Sequence, residues 1–173
     1  MRPLVVLAVT TVTVGLLTAG LWATATPLPG YTINADGGAT TDERGLAEFV
    51  VADVVFCAIG LLSGIGLGIV TWRGFGRRVG WPAVPIAAVS SLLAAVLCWQ
   101  VGPLLGPHDF NARLAAAAVG DTVVIDLRLR ALVALAVWVL GACGSLLVAT
   151  AVLRDPDDGY PVRLPWSVRE DAG

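Results

Sequence analysis

Four stretches of this chain carry no charged side chain over a length that can cross a bilayer: 3–22, 54–72, 79–105 and 131–153. A helix needs about 20 residues to cross about 30 Å of hydrocarbon, so apolar runs of about 18 or more read as spans. Composition agrees. The chain of 173 residues is 57% hydrophobic and 14% charged, whereas soluble domains are about 45–50% apolar and about 25% charged. With interfacial ends added, the expected spans run over about 3–22, 47–72, 81–104 and 130–153. The expected fold class is all-α: an integral four-transmembrane-helix bundle over 1–154 with a small extracytoplasmic cap. Residues 155–173, polar and holding Pro156, Pro161 and Pro165, read as a disordered cytoplasmic tail.

The first run has a rival reading. "ATA" at 23–25 resembles a signal-peptide cleavage site, but the run is longer than the usual signal core of about 7–15 residues. The expectation is a retained anchor. Orientation follows arginine in short loops. Arg2, the "RGFGRR" loop at 73–78 and Arg154 belong together, which puts both termini on the cytoplasmic side of a cytoplasmic membrane. The other side carries 23–53 and 106–130, richer in acids than in arginines.

These two outer segments hold some local order. Residues 31–35 read as a short strand, followed by the turn signal Asp36-Gly37-Gly38. Residues 40–43 fit a capping box, which starts the second helix near residue 42. Asp109 is placed to cap a short helix through Ala118. "TVVIDLRLR" either pairs as a strand with 31–35, forming a short β-hairpin cap, or runs as an irregular loop into the fourth helix.

The second span opens on Asp53 and carries Gly60, Gly64, Gly66 and Gly68. At about 100° per residue, Asp53, Cys57, Gly60 and Gly64 share one face, and Gly68 drifts partly off it. Small residues let helix backbones approach where hydrocarbon supplies no hydrophobic drive. Matching four-residue stripes occur at Ala83, Ala87, Ser91 and Ala95, at Thr11, Gly15 and Ala19, and at Gly141 and Ser145. Helix packing explains all of them; the functional alternative is an unwound glycine segment in a transporter.

An acid on that buried face needs a partner. Arg128 and Arg130, at the same depth before the fourth span, are the candidates. The expectation is a structural ion pair from Asp53, or from Glu48 on a different face, to one of these arginines. The same four residues are the candidate ligand cluster. A proton or ion relay would need polar groups deeper in the spans, and only Ser63, Ser90, Ser91, Gln100, Ser145 and a few threonines are found there.

Catalytic, cofactor-binding and metal-ligating sets are not expected. His108 is the single histidine and has no cysteine near it. Cys57, Cys98 and Cys143 each sit in an apolar run and read as small hydrophobes. No G-x-G follows a strand and opens a helix. All 11 basic residues are Arg, and the net charge is −2, so nothing suggests a nucleic-acid footprint.

Several local patterns resemble those of a bacterial membrane-protein family, domain of unknown function 2567, found in high-GC Gram-positive bacteria. They are "LWATATPLPG", "ERGLAEFVVAD", "RGFGRRVGWP", "GPLLGPHDFNARLAAAAVGD" and "LRLRALVALAVW", spread over most of 16–154. Members often have Trp-Pro where this chain has Trp138-Val139. The resemblance implies four membrane helices and brings no functional residue with it. The expected function is non-enzymatic: an accessory or scaffold subunit of a membrane or cell-envelope complex, with the lipid bilayer, other membrane proteins or a second copy as partners. The alternative is a small transporter or ligand sensor using the outer charged cluster.

Overall fold

The computed structural model describes residues 2–36, 38–40, 43–76 and 80–152; the side chains of 43–47 and 49 lie outside the description. Four helices are long and apolar enough to cross a membrane: α1 (Arg2–Ala25), α2 (Glu43–Thr71), α3 (Ala83–Leu105) and α5 (Ala134–Val152). A single π turn, Trp72–Gly76, extends α2. A short helix, α4 (Phe110–Ala116), lies between α3 and α5. The expected tail, 155–173, lies outside the described residues.

Helix ends differ from expectation where local chemistry intervenes. The third helix was expected from Trp81, but Trp81 and Pro82 form a turn in which the Ala83 amide donates to the Gly80 carbonyl at 3.0 Å. Gly80 takes φ +71° there, a conformation suited to glycine. Pro85 then falls in the first turn of α3, where its missing N–H is not needed. The fourth helix was expected from residue 130. Residues 131–136 instead wind through bonds from the amides of Ala134, Leu135 and Ala136 to the carbonyls of Ala131, Leu132 and Val133, at 2.9, 3.1 and 2.9 Å. Such tight turns are common at helix starts.

The capping box expected at 40–43 rests on the Glu43 side chain, which lies outside the described residues. Thr40 lies in a strand, and its hydroxyl accepts a bond from the Asn34 side-chain amide at 3.1 Å; Thr41 and Asp42 lie outside the described residues.

Three short strands cover one end of the helices: β1 (Gly30–Ile33), β2 (Ala39–Thr40) and β3 (Thr122–Val124), in antiparallel order β2-β1-β3. Thr32 pairs with both Thr40 and Thr122, and Tyr31 with Val123. The segment "TVVIDLRLR" therefore pairs with β1, but only over its first three residues. Gly120, at φ +92°, turns the chain so that its amide reaches the Ile33 carbonyl at 2.8 Å.

The interior is built from small and aromatic residues with a few leucines, Leu67, Leu127 and Leu146 among them. Ala19, Ala87, Ala94, Ala95, Cys98 and Ala142 are fully enclosed, together with Trp22, Phe56 and Trp138. The rings form a continuous stack beneath the cap: Trp22 meets Phe56 edge-on at 5.1 Å, and Phe56 meets Trp138 at 5.7 Å. The Trp22 indole donates to the Ala52 carbonyl at 2.9 Å, joining α1 to α2. Large aliphatic residues point outward, Leu17, Leu62, Leu140 and Leu147 among them, each about two-thirds exposed or more.

Helix α2 packs mainly on α5, and α1 on α3. The α2–α5 seam has no room for a β-carbon. At Gly60 one would overlap the Trp138 indole, at Gly64 the Trp138 backbone carbonyl, and at Gly68 the Ser145 hydroxyl and Ala142. Gly141 lies equally close to the Leu61 carbonyl. Gly66, on another face of α2, has no neighbour within 4 Å. Overpacking costs about 1–3 kcal/mol or more, while Gly to Ala at an open helical site gains up to about 1 kcal/mol. Gly64→Val should therefore lower the unfolding midpoint in detergent by several degrees and reduce membrane yield, while Gly66→Ala should leave the midpoint equal or higher. Equal midpoints for the two variants would contradict this account of the seam.

Candidate functional site

The start of α5 has no local cap. Residues 131–133 are Ala, Leu and Val, and none of them has a side-chain acceptor for the first amides of a helix. Asp53 supplies the cap from α2. Its Oδ1 accepts the Arg130 amide and its Oδ2 the Ala131 amide, each at 3.0 Å. A carboxylate facing a helix N-terminus is favoured by the charge-assisted bonds and by the helix dipole.

This differs from the expected ion pair. The partners of the Asp53 carboxylate are backbone N–H groups, and no ion pair joins Asp53 to Arg128 or Arg130 among the described residues. Glu48 is half-buried on α2 and makes no ion pair among those residues. Among the described residues an ion pair joins Arg113 to Asp126, at 3.0 Å.

That pair organises the outer side of the cap. Arg113 also donates through Nε to the His108 carbonyl at 2.8 Å. Asp126 Oδ2 receives the Phe110 amide at 3.5 Å, so Asp126 stands at the start of α4 where Asp109 was expected to cap. Asp109 takes a left-handed conformation, φ 58°, and makes no capping bond. The helix it precedes ends at Ala116, short of the expected Ala118.

Between α4 and the segment leading to α5 lies a groove of about 690 Å³. Tyr31 and Phe110, with ring centroids 5.8 Å apart, form its aromatic wall. Asp109, Asp126, Arg128 and Arg130 line it as well. Two of the four residues expected to cluster, Arg128 and Arg130, thus share a groove; Asp53 holds the backbone beneath them, and Glu48 is not among the lining residues. Sequence reading did not find the Tyr31–Phe110 contact or the Arg113–Asp126 pair. The one available signal was the antiparallel pairing of β1 with β3, which brings distant segments together.

The other singled-out residues lie inside. Gly60, Gly64 and Gly68 all face α5, and Ala87, Ser91 and Ala95 are fully buried on α3. Four of the hydroxyls in the spans turn back to their own helices: Ser90 to the Ala87 carbonyl, Ser91 to that of Ala88, Ser145 to that of Ala142 and Thr71 to that of Leu67; the buried Thr11 hydroxyl has no hydrogen-bond partner. Such back-bonding satisfies the hydroxyl without linking it to a neighbour. The three cysteines are free thiols. Among the described residues, no group of His, Cys, Asp and Glu side chains converges as a metal ion would require.

Asp53→Ala should cost about 1–3 kcal/mol, from two charge-assisted bonds and a lost cap. Asp53→Asn, which keeps an acceptor oxygen, should lose less. Because the partners are backbone amides, the swap Asp53→Arg with Arg128→Asp should not restore the unfolding midpoint. Full restoration in detergent unfolding would reinstate a side-chain ion pair. In comparison with known proteins, the chain matches no family model, no curated protein and no solved structure.

Proposed function

We propose that the chain is a non-enzymatic integral protein of the cytoplasmic membrane, acting as an accessory or scaffold subunit of a membrane or cell-envelope complex. The observation that carries this reading is the distribution of side-chain size. Small and aromatic residues, with a few leucines such as Leu67 and Leu146, fill the interior, while most bulky aliphatic residues face outward. In water that surface would be a large apolar patch of the kind that drives association; in hydrocarbon it is the expected arrangement, since lipid is as apolar as leucine. The back-bonded hydroxyls support a structural role, because a transport path or relay needs polar groups joined between helices.

Arg2 and Arg73 lie at the end opposite the sheet, where Gly74 approaches Pro3. The arginine bias puts that end in the cytoplasm, with both chain termini inside and the sheet outside. The family resemblance points to the same four-span arrangement. A second reading, a small transporter or ligand sensor, has one observation in its favour: the charged and aromatic groove of the cap.

Purification of the tagged protein from its own membrane in mild detergent tests the leading reading. A stoichiometric partner is expected; a particle of one lone chain across several detergents would overturn it. Labelling of intact cells with a membrane-impermeant thiol reagent tests orientation. Asn111→Cys should react and Arg73→Cys should not; the reverse pattern would invert the topology.

A further inference from the structure

We propose that the cap groove binds a phosphodiester, taken from an anionic phospholipid headgroup or from a soluble diester, with Arg128 as the principal contact. The inference deepens the sensor reading and rests on the same groove. Three observations lead to it. First, Asp126, which lines the groove, is already neutralised by Arg113 at 3.0 Å. Arg128 is exposed, lines the groove and makes no ion pair among the described residues. Second, the backbone that carries it is held in place, because the Arg130 and Ala131 amides are bound by Asp53. Arg130 also lines the groove, two residues on.

Third, the groove adjoins the point where the fourth apolar run begins, at residue 131. In the proposed topology that is headgroup depth. Its wall is apolar and aromatic, with Tyr31 and Phe110 in contact and Leu114 and Ile125 beside them. Amphipathic rings of this type suit a position between hydrocarbon and water.

The chemistry of the rim narrows the ligand. A guanidinium fork matches phosphate oxygens in a two-bond geometry that an ammonium does not reproduce. Asp109 shares the rim and repels a multiply charged anion. A diester with one negative charge is thus favoured over a phosphate monoester.

The test uses the full-length protein in detergent, mixed with phosphatidylglycerol or with diacylglycerol of the same chains. Native mass spectrometry counts the retained lipids. Wild type should retain phosphatidylglycerol over diacylglycerol, and Arg128→Ala should lower its occupancy about tenfold, the size expected for one charge-assisted contact. Arg128→Lys should fall between them. Arg2→Ala, at the opposite end, should match wild type. Unfolding midpoints equal to wild type establish that the variants are folded.

Soluble glycerophosphoglycerol serves as the second arm. If it binds with the same Arg128 dependence while lipid retention does not change, the source is a free diester and the proposal stands. Equal occupancy in wild type and Arg128→Ala for both probes would overturn it, as would an equal loss with Arg2→Ala. Stabilisation by citrate that Arg128→Ala removes, with no response to either diester, would overturn the phosphodiester and leave the sensor reading in place.

Discussion

The backbone contact between α2 and α5 is the constraint on which the rest of the structure depends. Gly60, Gly64 and Gly68 meet Trp138, Ala142 and Ser145 with no space for a β-carbon, and Gly141 meets the Leu61 carbonyl from the other side. Each atom pair gains only about 0.1–0.2 kcal/mol by dispersion, so the seam works by number and closeness. Bulky side chains in these positions would separate the helices and forfeit most of that gain. The close seam also sets how α5 stands beside α2, and so brings the start of α5 within hydrogen-bonding reach of Asp53.

That reach explains why the carboxylate binds amides and not a guanidinium. A helix start leaves several N–H groups without partners, and burying them near the membrane edge is costly. The local sequence of α5 offers no acceptor, whereas Asp53 on α2 offers two oxygens at the right height. A guanidinium at the same depth can turn toward water, so it has less to gain from the carboxylate. One acid thus closes the seam at its upper end and anchors the segment that runs from β3 to α5.

The large-scale plan was legible in the sequence because hydrocarbon length and charge exclusion act on every residue of a span. The four runs without charge became the four long helices, and the four-residue spacing of Gly60, Gly64 and Gly68 placed them on one seam. Gly68 stayed on that seam despite its angular drift, since an apolar helix face is at least about 100° wide. The cap was only partly readable. The pairing of β1 with β3 joins residues some ninety positions apart, and no local pattern records such a partner. Asp53 was singled out correctly as an acid needing company, but its partners are main-chain atoms, which every residue possesses and no sequence pattern marks. The same holds for Asp126, whose roles toward Arg113 and the Phe110 amide arise from tertiary placement alone.

The cap and the helices are joined in a way that bears on any ligand in the groove. On one side, Thr26 donates to the Trp22 carbonyl, Pro29 is enclosed, and the Pro29 carbonyl receives the Ile125 amide at 3.0 Å. On the other, Asp53 holds the amides of Arg130 and Ala131. The stretch from Ile125 to Arg130, which carries Arg128 into the groove, is therefore tied at one end to the loop after α1 and at the other to α2. A ligand that drew Arg128 inward would load these two ties rather than a chain of side-chain rotamers. Beneath them the α2–α5 seam is closely packed, with the glycine backbones against the Trp138 ring and carbonyl, Ala142 and Ser145. The two bonds at Asp53 thus join the segment that lines the groove to α2, at the start of the α2–α5 seam.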